Sequence, residues 1–350
     1  MNKYNYKNKN VYIGLDVHKK TYAYTARCEG LTVKKGTLPA NPQDLVTFLH
    51  RYFSEAKIHT AYEAGFCGFA LHRVLCKNGI QNIIVNPSSI ETVVRERVKT
   101  DKRDSLKIAI QLEAGRLRGI HIPSIQQEQY REISRLRDDL IKKRNVISNQ
   151  IKSLFLRQGI NAPEGVVSQR WLLKLKDLEL PAEIRFVLDT YIESWFSTYA
   201  QIQIVEKKLK EQAAQEKTHQ IIESLPGIGL VTARTLSNEL GDMQQFQNVR
   251  QLYSFTGLTP REYSSGEHTR LGHISKQGRA RLRKTLVQSA WIAIRHDQEM
   301  RHIYDSLSRR IGAKKAIVAI ARKLIGRVRA CLKREEAYSP KDLNMSMGGC

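Results

Sequence analysis

The order of short β-rich segments and helices in the N-terminal third constrains the fold of this 350-residue chain more than any other feature. Three β-rich runs come first, VYIGLDV, TYAYTAR and LTVKKGTL, and a hairpin-like turn at Gly30 joins the last two. Helices and strands then alternate: a helix over about 42–53, the strand ending in HTAYEAG, a helix over about 69–78, the strand QNIIVNP and a helix from about Thr100. The predicted order is therefore β-β-β-α-β-α-β-α.

This order resembles that of the ribonuclease-H-like fold, so we expect a RuvC-like α/β catalytic domain over residues 1–122. Long helices follow, because the stretches from about Gln126 to Leu156 and from about Ala182 to Gln220 repeat apolar residues at helical spacing. An intramolecular helical hairpin and coiled-coil pairing with another chain fit this pattern equally well. We expect a helical coiled-coil segment over 123–217, a helical C-terminal domain over 218–335 and a poorly ordered tail over 336–350.

The charge of the chain points to a polyanionic partner. It has 58 Lys and Arg against 34 Asp and Glu, a formal net charge of +24, and nucleic acid is the leading candidate. A membrane surface is the alternative, but apolar runs such as 316–321 are too short to span a bilayer. The N-terminal segment MNKYNYKNKN has no apolar core and the five cysteines form no CxxC pair. We therefore expect a cytoplasmic bacterial protein with reduced cysteines and no zinc site.

Four acidic residues are predicted to converge in the N-terminal domain. Asp16 ends the first strand on the face opposite its apolar residues, and Glu63 ends the strand after the first helix. Asp101 and Asp104 are three residues apart near a helix start, so they project from one face. Clustered carboxylates repel one another unless cations neutralise them, and oxygen ligands suit Mg²⁺ or Mn²⁺, with two ions holding both reacting oxygens of a phosphoryl displacement. Taken singly, each acid is more readily explained as a helix cap or a solvated ion pair, and only the set of four favours a metal site.

Four sequence blocks, IGLDVHKK, YEAG, VNP and KTDKRDSLKIA, resemble the successive blocks of the DEDD-type transposases of bacterial insertion sequences. These enzymes, of the insertion-sequence-110 type, form the family of bridge-RNA-guided recombinases. The resemblance extends over about Val11 to Lys333. It implies that the four acids, which lie inside the matching blocks, are the catalytic metal ligands: Asp16, Glu63, Asp101 and Asp104.

The stretch QLYSFTGLTPREYSSGEHTRLGHISKQGRARLRKTL resembles the second domain of the same family, and Ser265 matches its nucleophilic serine. The resemblance implies a covalent phosphoserine intermediate, which lets an enzyme rejoin strands without ATP. On the residues alone, Ser264 and Ser265 are more readily explained as turn residues. Upstream, SLPGIGLVTARTL resembles a helix-hairpin-helix in which Gly227 and Gly229 expose backbone N–H groups to phosphate, with an ordinary αα-turn as the alternative.

Two basic runs flank these candidate residues. Their charge suits contact with phosphates, although such runs are commonly solvated faces. The nucleic-acid-binding candidates are Arg95, Arg97, Lys99, Lys102 and Arg103 in the first run, and Lys276, Arg279, Arg281, Arg283 and Lys284 in the second.

These features predict a Mg²⁺-dependent DNA transposase and recombinase that cleaves, exchanges and rejoins strands. The resemblance implies three kinds of partner: donor and target double-stranded DNA, a structured guide (bridge) RNA, and further copies of the chain in a dimer or tetramer. Two other functions stay open. A RuvC-like structure-specific DNA endonuclease, or junction resolvase, would use the same acids to activate water and would not need Ser265. A non-catalytic nucleic-acid-binding protein would tolerate Asp16→Ala.

Overall fold

The computed structural model of the chain describes residues 5–91, 101–214, 216–262 and 271–339, apart from the side chains of residues 101, 102 and 271. The chain divides into two compact units, Met1–Ile122 and Pro123–Cys350, hereafter the N-terminal and C-terminal units. No helix in the described ranges is long and apolar enough to cross a membrane.

The N-terminal unit is built on a five-stranded sheet with the order β3-β2-β1-β4-β5. The first three strands pair antiparallel, whereas β4 runs parallel to both β1 and β5. Three α-helices accompany the sheet in the described part of this unit, and the observed sequence of elements is the predicted one, which confirms a mixed α/β fold. The elements are β1 (Asn10–Val17), β2 (Thr21–Cys28), β3 (Leu31–Pro39), α1 (Pro42–Tyr52), β4 (Lys57–Glu63), α2 (Ala70–Lys77), β5 (Gln81–Val85) and α3 (Asp101–Glu113).

The two faces of the sheet pack differently because side chains alternate along each strand. On β1, Val11, Ile13 and Leu15 are fully buried in the main core of this unit, which also includes α1 and α2. The opposite face is covered by α3, whose Ile108 belongs to a smaller apolar cluster with Ala61 of β4. The strand thus buries both faces and holds its last residues between the two layers.

The C-terminal unit is mainly helical. Two long helices, α4 and α6, pack against each other through an apolar cluster that surrounds Trp195, whose indole Nε1 donates to Ser148 Oγ at 3.1 Å. The helical hairpin is therefore formed within one chain, while pairing with another chain stays a prediction. The elements are α4 (Ile125–Gln158), α5 (Gln169–Leu173), α6 (Ala182–Ala213), α7 (Lys217–Glu223), α8 (Leu230–Leu240), α9 (Val249–Thr256), β6 (Pro260–Glu262), β7 (Leu271–Ile274), α10 (Ala280–His296), α11 (Gln298–Ile311) and α12 (Ala313–Arg334).

The second long helix is shorter than predicted. The sequence pattern extends it to Gln220, but α6 ends at Ala213 and a separate helix begins at Lys217. Between them, Glu216 adopts extended backbone geometry and its carboxylate accepts two hydrogen bonds from the buried Arg234, at 2.5 and 2.9 Å. A tertiary ion pair thus overrides a helical pattern that is continuous in the sequence.

The first residues after α12 are held against the rest of the C-terminal unit, contrary to the expectation of a poorly ordered tail. Tyr338 donates its backbone N–H to Ser224 Oγ at 2.8 Å and its hydroxyl to Asp297 at 2.9 Å. Its hydroxyl also accepts from Arg327 at 2.9 Å. The residues beyond Ser339 lie outside the described ranges.

Candidate active site

Two of the four predicted acids lie side by side at one edge of the sheet. Strand β1 runs parallel to β4, and Leu15 lies opposite Tyr62. Asp16 comes directly after Leu15 and Glu63 directly after Tyr62, so the two acids lie at the carboxyl ends of neighbouring strands. Both acids share the face that carries Gly14, because side chains two residues apart point to the same side. Asp16 is half-buried and Glu63 is exposed.

Helix α3 brings the other two acids to the same edge because it runs antiparallel to β1. Its last residue, Glu113, accepts from Arg27 Nε at 2.6 Å, and Arg27 pairs with Tyr12 at the beginning of β1. Its second turn lies over the middle of β1, where Ser105 Oγ is 2.9 Å from Thr25 Oγ1, opposite Gly14. The start of the helix must therefore lie toward the end of the strand, beside Asp16 and Glu63.

A glycine permits this close approach of helix and strand. A Cβ atom placed on Gly14 would lie 2.0 Å from the Ser105 carbonyl oxygen and 2.5 Å from the Ala109 nitrogen, both backbone atoms of α3. No side chain fits between the two backbones at this point. Gly14 thus determines how near the beginning of α3 comes to the strand that carries Asp16.

The donor atoms at this edge suit a hard divalent cation. Asp16, Glu63 and the half-buried Asp104 offer only carboxylate oxygens, the ligands that Mg²⁺ and Mn²⁺ prefer. The side chain of Asp101 lies outside the described part. Among the side chains that are described, no three His, Cys, Asp or Glu residues are close enough together to share one metal ion. The chemistry of these residues therefore fits a divalent metal ion, and metal binding at this edge stays a prediction.

A histidine that sequence analysis did not single out contacts the first acid. His18 Nε2 lies 3.2 Å from Asp16 Oδ2, just beyond the end of β1. The two residues are two positions apart in IGLDVHKK, a spacing that places them on the same side of an extended chain. A ring nitrogen that donates to a carboxylate oxygen fixes the orientation of the carboxylate.

Several predicted site residues lie outside the described part of the chain. The nucleophile candidate Ser265 and its neighbour Ser264 belong to the segment 263–270, which is outside the described ranges, as are Arg95, Arg97 and Lys99. The side chain of Lys102 is likewise outside, whereas Arg103 is exposed next to Asp104.

The second basic run supplies structural contacts as well as charge. Arg279 pairs with the buried Glu239 and lies over the Phe255 ring, 4.9 Å from its centroid. Arg281 pairs with Asp138 at 2.7 Å, and Arg283 donates to the Thr256 carbonyl at 3.2 Å. In contrast, Lys276 and Lys284 are both exposed.

The turn between α7 and α8 joins two helices in the order that the motif predicts. Gly227 has a φ of +77°, and a Cβ there would lie 2.5 Å from the Ser289 carbonyl oxygen of α10. Gly227 is thus required by packing inside the unit. Gly229 precedes α8 without a capping side chain, and its Cβ position is open. Phosphate binding by this turn stays a prediction.

A buried polar network that the sequence did not reveal joins α4 to α8. Arg234 contacts Glu216 and also donates to Asn238 Oδ1 at 2.5 Å, while Asn238 Nδ2 donates to Ser134 Oγ at 2.7 Å. Arg131 of α4 donates to the Asn238 and Glu239 carbonyls at the end of α8, and burial lowers its pKa to about 10. The arginine therefore stays charged at neutral pH and satisfies carbonyls that the helix end leaves open.

Comparison with known proteins gives matches in both units. A family model described as "Transposase IS116/IS110/IS902 family" matches residues 219–305, and another, described as "Transposase", matches residues 13–159. The transposase for insertion sequence element IS1111A of Coxiella burnetii is 29% identical over 285 residues, covering 78% of this chain and 77% of the relative. A putative transposase of Sinorhizobium fredii, y4rJ, is 31% identical over 310 residues, covering 79% and 76%. The transposase for element IS1328 of Yersinia enterocolitica is 33% identical over 201 residues, covering 56% and 60%.

Proposed function

Because the chain belongs to the IS116/IS110/IS902 family of DEDD transposases, we propose that it cleaves, exchanges and rejoins the DNA strands of an insertion sequence. Family membership supports DNA transposition in general. The observation that carries the more specific proposal is the meeting of Asp16, Glu63 and the start of α3 at one edge of the sheet. This edge is where acids on different elements can act on one phosphate.

The N-terminal unit is the catalytic domain of this proposal, with a ribonuclease-H-like, RuvC-like fold. Its strand order, β3-β2-β1-β4-β5 with three antiparallel and then two parallel strands, is consistent with such a fold. Asp16, Glu63, Asp101 and Asp104 would hold Mg²⁺ or Mn²⁺, and bound ions of this kind stabilise the charge on the attacking and leaving oxygens of a phosphoryl displacement. His18 would keep the Asp16 carboxylate oriented.

Ser265 is the proposed nucleophile. Its Oγ would attack the scissile phosphorus, the P–O bond to the leaving strand would break, and that strand would depart with a free hydroxyl group. The bond energy would be kept in the phosphoserine, so attack by a second strand's hydroxyl would restore a phosphodiester and release the serine. A serine hydroxyl is a weak nucleophile until a neighbouring base removes its proton, so the proposed reaction requires a base close to Ser265.

Donor and target DNA are the proposed substrates, and the net charge of +24 supports their binding through phosphates. The proposals of a guide RNA and of a dimer or tetramer rest on the resemblance to the bridge-RNA-guided recombinases. An oligomer would let the acids of one copy meet Ser265 of another.

The test is a cleavage assay with the flanking RNA of the element, Mg²⁺ and end-labelled donor and target DNA, resolved on a denaturing gel with and without protease. Wild type is compared with Ser265→Ala and with the matched control Ser264→Ala. We expect a protein-linked DNA band and recombinant product from wild type and Ser264→Ala, and neither from Ser265→Ala. Cleavage without a protein-linked band, equal in wild type and Ser265→Ala, would replace the proposal with a water-dependent nuclease.

The metal site is tested separately by Asp16→Asn, which keeps the size of the side chain but removes its charge. We expect this variant to bind donor DNA with wild-type affinity and to form no protein-linked band. We also expect the wild-type protein to be active when Mn²⁺ is supplied in place of Mg²⁺. Full activity of Asp16→Asn, or activity in excess chelator, would exclude the proposed acid set.

A further inference from the structure

An aromatic ring is exposed to solvent next to the edge of the sheet that carries Asp16 and Glu63. Phe66 is 71% exposed, and it lies on the loop between β4 and α2, three residues after Glu63. In the described part of the N-terminal unit, the next most exposed large apolar side chain is Leu31, at 68%, the first residue of β3. A single exposed apolar side chain is ordinary on a protein surface, so the informative feature of Phe66 is its position beside the predicted acids.

The loop that carries Phe66 is firmly attached to the fold. The buried Tyr62 hydroxyl accepts from the His72 backbone N–H at 3.1 Å and donates to the Gly68 carbonyl at 3.4 Å. Burial raises the pKa of this hydroxyl, so it remains protonated and keeps donating. At the other end of the loop, the Ala64 N–H donates to the Val85 carbonyl at 2.8 Å.

The neighbours of Phe66 point inward. Ala64, Cys67 and Phe69 all pack against the main core of the unit, and the Gly68 N–H closes a turn onto the Gly65 carbonyl at 3.4 Å. The direction of the Phe66 ring is therefore set by the path of an anchored loop. The exposed ring lacks the stabilisation that its burial would provide, which is about 2 kcal/mol for a side chain of this size.

The ring would also lie within reach of a phosphate held by the predicted acids. Three residues of extended chain span at most about 11 Å, so Phe66 lies within one or two nucleotide spacings of a phosphate held at Glu63. A nucleobase beside that phosphate has a flat apolar face of similar size to the ring.

We propose that Phe66 stacks on an unpaired base of the DNA strand being cut, immediately beside the scissile phosphate, and so positions that phosphate against the acids. The inference rests on the proposed function and adds a positioning residue to it. Stacking requires a base that has left its own duplex stack, so the ring selects locally opened DNA. Because every base has a π face, such a contact holds the strand without reading its sequence.

The first test compares side chains at position 66 in the cleavage assay. Phe66→Ala and Phe66→Leu remove the ring, whereas Phe66→Trp keeps a stacking surface. We expect the two ring-less variants to lose about 5- to 150-fold in the rate of strand cleavage, the effect that the stacking of one base corresponds to, and Phe66→Trp to stay near wild type. Leu31→Ala removes a similarly exposed apolar side chain from the opposite end of the sheet and is the matched control.

The second test removes the base instead of the ring. A single abasic nucleotide is moved through the positions around the scissile phosphate, and each substrate is cut by wild type and by Phe66→Ala. At one position, the abasic nucleotide should slow cleavage by the wild type as much as the Phe66→Ala substitution slows cleavage of intact DNA. The same abasic substrate should not slow the Phe66→Ala variant any further, because both changes delete the same contact. Equal slowing of both proteins at every position would overturn the inference.

Two controls separate this inference from its alternatives. If Asp16→Asn abolishes cleavage while Phe66→Ala cleaves at the wild-type rate, the acid site stands and the stacking role is excluded; if Asp16→Asn cleaves normally, the proposed function itself has failed. If Phe66→Ala changes the oligomer measured by sedimentation at matched concentrations, the ring contacts a second copy of the chain and the base-stacking role is wrong.

Discussion

Substitution of Gly14 by alanine tests whether the spacing of α3 and β1 sets the geometry of the acids. The new Cβ would lie 2.0 Å from the Ser105 carbonyl oxygen, where ordinary contact begins at 3.4 Å, a shortfall of about 1.4 Å. Both partners are backbone atoms, so no side-chain rotation relieves the overlap and the helix has to move. Overpacking of this kind costs about 1–3 kcal/mol, and a displacement of about 1 Å at a catalytic group can lower the rate about 100-fold.

Hydrogen exchange followed by mass spectrometry measures the effect on α3 directly. We expect amides of residues 105–113 in Gly14→Ala to exchange about 5- to 150-fold faster, which is what 1–3 kcal/mol corresponds to, and DNA cleavage to fall by about 100-fold. Gly65→Ala is the control, because its added Cβ would meet nothing nearer than 3.8 Å and its exchange in α3 should not change. Wild-type protection and wild-type cleavage in Gly14→Ala would refute the role of this contact.

Three further predictions concern stability. Burial lowers the pKa of His219 more than Glu223 raises it, so the unfolded chain binds the proton more tightly. The stability of the C-terminal unit should therefore fall as the pH drops below about 6.5. Urea unfolding at several pH values checks this, and the His219→Gln variant should lose the pH dependence. Arg234→Met leaves Glu216 without its buried partner and should cost about 3 kcal/mol by tryptophan fluorescence in urea, an effect that a purely exposed pair would not give. Tyr62→Phe removes one hydrogen bond to Gly68 of the loop after β4 and one to His72 of α2, and it should cost about 1–2 kcal/mol, seen as faster exchange in residues 64–72. Unchanged exchange would contradict the anchoring.

The alternation of side chains between the two faces of β1 is the sequence feature that predicted most of the candidate site. In VYIGLDV the apolar residues occupy one face, so the position of Asp16 on the other face follows from the period of an extended chain. The antiparallel course of α3 over that face does not follow from any local pattern. It depends on contacts between residues far apart in sequence, such as Arg27 with Glu113 and Thr25 with Ser105.

Helix boundaries show the same limit. The periodic apolar pattern predicts the start of α6 at about Ala182, and the helix begins there. The end of α6 was not predicted correctly, because Glu216 adopts extended geometry and contacts Arg234, which is 18 residues further along the chain. Local propensity decides a boundary only where tertiary contacts leave the choice open.

The basic run of α10 shows why a charge pattern alone does not identify residues that contact nucleic acid. Its arginines, which the sequence assigned to phosphates, also hold Glu239, Asp138 and the Thr256 carbonyl inside the C-terminal unit. Replacing any of them would disturb these contacts together with any phosphate contact, so a loss of DNA binding could not be assigned to either cause. Lys276 and Lys284 carry the same charge on exposed side chains. A change in the salt dependence of binding after their substitution would therefore report on phosphate contact, because neutralised phosphates determine that dependence.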